Sequence, residues 1–139
     1  MRNEIQYPAW LFTGCWEAVG WFYRDGTRWR RWHGYAPGAW LWEFRIGAPL
    51  TEWTGGRWKE VPFGYDATGR TMWIDRSDYE PDGFLNNCFE DNFRLLKLDD
   101  CRAWLGNADT VDDEGRITAA LLWLRRSPDE CARMTGRTP

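Results

Sequence analysis

The chain has 139 residues, 43% hydrophobic and 28% charged, enough for one domain with a buried core and too ordinary a balance for a disordered chain. The formal net charge is −3, with nine basic and seven acidic side chains in residues 1–70 against nine and fourteen in residues 71–139, so neither half carries the wide basic field of a nucleic-acid binder. Four cysteines without a Cys-x-x-Cys pair (Cys15, Cys88, Cys101 and Cys131) and a single histidine, His33, argue against a zinc site, and no cofactor is expected.

Tryptophan is the unusual component. Nine of the twelve fall within the first 58 residues, more indole than a core of that size readily hides, so some are expected at the surface or in a partner interface. Arginine outnumbers lysine sixteen to two. Coding bias explains that ratio, and so does a preference for planar donors at interfaces. The start has no apolar signal core, and no stretch approaches a membrane span, which gives an expectation of an intracellular protein with reduced thiols.

In chain order the first half reads as antiparallel β. Residues 9–16 and 19–23 are aromatic and β-rich, with Gly14 and Gly20 beside them, and Asp25-Gly26 marks a hairpin. Residues 28–33 place Trp29 and Trp32 three apart, which breaks strict alternation and suggests a bulge or two partly covered faces. Pro37-Gly38 turns into residues 39–46, where Trp40, Trp42, Phe44 and Ile46 share one face. Gly55-Gly56 turns a short pair over residues 50–53 and 58–61. Residues 71–75 then form an apolar strand running into Arg76, Ser77 and Asp78 at a rim.

Beyond residue 78 the pattern predicts a loop and then helices. Pro81, Gly83, Asn86 and Asn87 mark a long connection, and residues 89–98 fit strand or helix. Asp99 reads as the N-cap of a short helix closed by Gly106. Ile117, Ala120, Leu121 and Leu124 keep helical spacing within residues 114–126, and Ser127-Pro128-Asp129-Glu130 forms a capping box for a last helix ended by Gly136. The expected fold is α+β over residues 1–139: an N-terminal antiparallel sheet or partly open barrel (residues 1–78) packed against two or three C-terminal helices (residues 79–139).

Gly14-Cys15-Trp16, Gly20, and Trp73-x-Asp75-Arg76-Ser77 followed by Asn86-x-x-Phe89 resemble a group of small uncharacterised bacteriophage and prophage proteins. Their pattern is a Gly-Cys-Trp start, a Gly-His-aromatic step and a Trp-Asp-Arg-Ser core followed by Asn-x-x-Phe. The match covers residues 14–92. This chain has Trp21 where that group has histidine, and Ile74 inserted before Asp75. The resemblance implies a phage setting, and hence a cytoplasmic location in a bacterial host, but no reaction.

Catalytic readings are thin. Asp75, Asp78, Glu80 and Asp82 offer the carboxylates a glycosidase needs, beside tryptophans able to serve as sugar platforms, yet such pairs normally come from separate strands. Ser77 has only His33 as a candidate base, and no nucleophile elbow or phosphate loop is present. Asp75 and Ser77 read better as groups that close a turn on backbone amides, with Arg76 pairing to a carboxylate. Arg30 and Arg31 between Trp29 and Trp32 suit single-stranded nucleic acid, but read better as a solvated hairpin with stacked arginines. The expected function is therefore a non-enzymatic phage accessory protein that inhibits a host protein, such as an anti-CRISPR, binding through Trp29, Arg30, Arg31, Trp32, Arg76, Asp78 and Tyr79. The alternative is a carbohydrate-binding or glycoside-hydrolysing module.

Overall fold

The computed structural model describes residues 12–45, 47–66, 68, 70–75 and 90–136. They form a ten-stranded antiparallel sheet and one short helix: β1 (Gly14–Asp25), β2 (Arg28–Gly34), β3 (Leu41–Phe44), β4 (Leu50–Thr54), β5 (Arg57–Val61), β6 (Phe63–Asp66), β7 (Thr71–Asp75), β8 (Glu90–Leu98), β9 (Arg102–Asn107), β10 (Ala119–Arg126) and α1 (Pro128–Thr135). Strand order is β5-β4-β3-β1-β10-β9-β8-β7-β6, with β2 paired to β1 off this path. The two ends of the path, β5 and β6, are separated in sequence only by Pro62, whose carbonyl accepts from the Asp75 amide at 3.0 Å. The sheet thereby curls into a nearly closed barrel.

This corrects the α+β expectation. Among the described residues only the last of the expected helices is present, with the expected Ser127 cap, reciprocal Glu130 contact and left-handed Gly136. Residues 99–105 contain a hairpin turn and the start of β9, because Asp99 Oδ1 accepts from the Cys101 and Arg102 amides. An N-cap and an Asx turn use the same kind of side-chain-to-amide bond, so sequence does not separate them. Residues 119–126 form β10, and both of its faces are covered at the start. Leu121 joins the barrel core, while Ala120 lies opposite Phe22 on the outer face, where Phe22 meets Trp104 edge-on at 4.9 Å. A strand covered on both faces loses its alternation and shows a continuous apolar run.

Aromatic rings fill the interior. Trp42 and Trp123 stack at 3.8 Å between centroids, and Phe12, Phe44, Phe93, Leu95, Leu105 and Met72 pack around them. Trp16 donates its indole N–H to the Phe12 carbonyl at 2.8 Å, and Trp40 and Trp42 both donate to Glu52 Oε2, at 2.9 and 2.6 Å. Trp16, Trp40 and Trp42 thus obtain acceptors from backbone and from one buried carboxyl group, whereas the buried Trp123 indole N–H has none among the described residues. The cavity left among Phe12, Trp16, Trp42 and Trp123 is about 10 Å³, room for no more than a water.

Outside the barrel, α1 covers Leu41, Trp53 and Trp58 with Cys131 and Met134, and Cys131 is disulfide-bonded to Cys15 of β1. The expectation of reduced thiols fails for this pair, whose 116-residue separation gives no local sequence signal. Arg126 reaches the buried Glu17 at 2.8 Å, and Glu17 also accepts from the Gly38 amide. These contacts fasten the connection between β2 and β3 to the outer wall.

Candidate functional site

The second half of β1 runs past the point where β3 pairs with it and carries β2 instead, so the β1–β2 hairpin projects from one end of the barrel. Two bulges set which side chains face inward there. Trp16 and Ala18 belong to the core, and pairing with β10 skips Val19, so that Trp21 takes the inward position opposite Leu121. On β2, His33 lies opposite Trp21 and Arg31 opposite Phe22, which leaves Trp32 as the extra residue. In a regular strand consecutive side chains point to opposite faces. The bulge instead lets Trp32 and His33 line the same cavity.

That cavity has a volume of about 500 Å³ and is open to solvent. Trp21 and Tyr35 form its inner wall, with the Trp21 indole donating to Tyr35 Oη at 2.9 Å and its ring stacked on core Phe93 at 6.4 Å. His33 meets Tyr35 edge-on at 5.0 Å. Trp32, 67% exposed, forms the outer wall. Asn107, at the inward-facing end of β9, and Thr110 supply the far side, together with Ala119.

The polar groups on the far side are fixed by backbone bonds. Asn107 Oδ1 accepts from the Asp109 amide at 2.9 Å, and Thr110 Oγ1 donates to the Asn107 carbonyl at 3.0 Å. The following loop is held by Asp112, whose Oδ1 accepts from the Glu114 and Arg116 amides and whose Oδ2 pairs with Arg116 at 3.0 Å. The Arg116 amide is the main cause of an Asp112 carboxyl below its ordinary range. A Val111–Ile117 bridge and a Thr118 amide bond to the Thr110 carbonyl close this loop beside the cavity. Among the described residues the lining contains no carboxylate and no arginine.

The expected binding residues separate on this scaffold. Trp32 lines the cavity. Trp29 lies opposite Arg24, which sits over its ring at 5.8 Å, and packs toward Trp104 on the outer face. Arg30 pairs with Asp25 at 2.5 Å, and the Arg31 guanidinium lies against Gly34. Arg76, Asp78 and Tyr79 lie outside the described residues, as do Ser77, Glu80 and Asp82. Asp75 ends β7, a strand in which Met72 and Ile74 are buried and Thr71 and Trp73 exposed. Trp21, Tyr35, Asn107 and Thr110 were not expected at a site. The broken alternation at residues 28–33 is the one sequence signal that pointed toward it.

No protein-family model matches the sequence, and comparison with curated proteins finds no match. Among solved structures, an uncharacterised protein from Bacteroides eggerthii is similar with a TM-score of 0.48 at 13% identity, covering 83% of this chain and 99% of that one. A lipocalin-like protein from Bacteroides uniformis is similar with a TM-score of 0.48 at 15% identity, covering 84% and 99%.

Proposed function

We propose that this chain is a non-enzymatic binding protein that holds a small ligand in the cavity between Trp21, Trp32, His33 and Asn107. One observation carries this reading: the Trp32 bulge turns two consecutive side chains into a single open cavity of about 500 Å³, above an interior already packed with rings. That volume is within the range of small-molecule sites, and a mostly apolar lining with a few oriented polar groups is their usual chemistry. The test is a fluorescence and calorimetric screen of small aromatic and carbohydrate probes against the wild-type protein and Trp32→Ala. Binding that is saturable and lost in the variant is expected, because Trp32 is exposed and its removal leaves the fold in place. Binding that is indifferent to Trp32 would overturn the assignment.

A second reading, the phage accessory inhibitor of a host protein, has the exposure of β2 in its favour: every residue of that strand except Trp29 is exposed. Its test is retention of one host protein by the wild-type chain and loss of that retention in Arg31→Ala.

A further inference from the structure

We infer that the cavity takes a planar heteroaromatic ring carrying a cyclic amide edge, a carbonyl next to a ring N–H, as in a purine or pyrimidine base; this rests on the small-ligand reading above. Local hydrogen bonds orient two lining groups. Because the Asp109 amide can only donate, the Asn107 side-chain atom it meets must be the oxygen, and the amide nitrogen is left as a donor. The Thr110 hydroxyl donates to the Asn107 carbonyl at 3.0 Å, beside the Thr110 amide that donates to the same oxygen at 3.1 Å, and in this arrangement Oγ1 is left as an acceptor. Donor and acceptor stand three residues apart in one turn, on the same side of the cavity.

A ligand edge that answers this pair offers an acceptor beside a donor, which is the pattern of a cyclic amide. The rest of the lining is dominated by the rings of Trp21, Trp32, His33 and Tyr35, which favour a flat π-system. A ring lacking the amide leaves the Asn107 donor and the Thr110 acceptor unanswered when it displaces their water. A sugar hydroxyl answers either group, but presents a puckered ring to the indoles. Among the described residues the lining has no carboxylate or guanidinium, which matches a neutral base.

The experiment titrates the full chain with hypoxanthine, 1-methylhypoxanthine, quinoline and methyl β-glucoside, read by calorimetry and tryptophan fluorescence. Hypoxanthine is expected to bind best. Blocking its ring N–H in 1-methylhypoxanthine should weaken binding about tenfold, the effect of one lost hydrogen bond. Asn107→Asp, which keeps the oxygen for the Asp109 amide and replaces the donor by an acceptor, should weaken hypoxanthine by at least the same factor. If Asn107→Asp is less folded than wild type by circular dichroism, the methylated probe and Thr110→Val carry the test. Quinoline or methyl β-glucoside binding as tightly as hypoxanthine, with loss in Trp32→Ala, would overturn the ligand class and leave the cavity as a site. No binding by any probe would overturn both.

Discussion

Glu52 and Trp42 lie opposite each other on β4 and β3 inside the barrel, and Glu52 Oε2 accepts the Trp42 indole proton at 2.6 Å while also accepting from Trp40 at 2.9 Å. Glu52 is 1% exposed, so its carboxyl group is the local acceptor for two indoles deep in an aromatic core. Replacing it with Leu keeps the volume and leaves two indole N–H groups without that acceptor. Unsatisfied buried donors cost about 1–3 kcal/mol each, so Glu52→Leu should lose about 2–6 kcal/mol in urea unfolding and Glu52→Gln clearly less. Adding Trp42→Phe to Glu52→Leu should cost less than Trp42→Phe alone. Equal stability of Glu52→Leu and wild type would show that the indoles find other acceptors.

The Cys15–Cys131 disulfide fixes α1 to the outer wall over Leu41, Trp53 and Trp58. Removing a cross-link with a 116-residue separation relaxes the unfolded chain, and losses of about 2–5 kcal/mol are usual. Cys131→Ser should therefore lower the melting temperature, and a reducing agent should lower the wild-type value by a similar amount while leaving Cys131→Ser unchanged. Thiol titration of unfolded protein should rise by two groups on reduction. A wild-type melting temperature insensitive to reductant would show that the bridge adds nothing to the fold.

How much of this was legible follows from where alternation survives. The β1–β2 hairpin and the β4–β5 pair were readable because Asp25-Gly26 and Gly55-Gly56 sit between strand-like runs, with Gly26, Gly55 and Gly56 in the left-handed region. Residues 41–44 were readable because Trp42 and Phe44 face the core in strict alternation. The C-terminal strands were not, since Ala120, Leu121 and Leu124 in a strand with two covered faces match helical spacing equally well. The cavity depends on register: the skipped Val19 and Trp32 redirect Trp21 and His33, and register is set by partners distant in sequence. Gly20 shows the same limit. A Cβ there would meet the His33 carbonyl, a contact that exists only once β2 is paired.

Asp112 ties the loop that carries Thr110, and its carboxyl is held below the ordinary value of 3.8 by the Arg116 amide first, then by the Arg116 side chain and the Glu114 amide. Asp99 is lowered by the Cys101 and Arg102 amides in the β8–β9 turn, and Glu130 by the Ser127 amide and hydroxyl at the helix cap. A folded-state value below the unfolded one stabilises the fold above the unfolded value, and that contribution is lost as pH falls through the folded value. Thermal stability should thus fall on acidification below pH 3.8, the ordinary value of Asp99 and Asp112, with Glu130 beginning to contribute nearer its own ordinary value of 4.5. Asp112→Asn keeps an acceptor for the amides but does not titrate, so its melting temperature should start lower at neutral pH and fall less steeply between pH 4.5 and 3. Hydrogen exchange of the Thr118 amide, bonded to the Thr110 carbonyl, reads the same loop directly. If its protection relative to the β10 core holds constant down to pH 3 in the wild type, the Asp112 carboxylate does not fasten that side of the cavity.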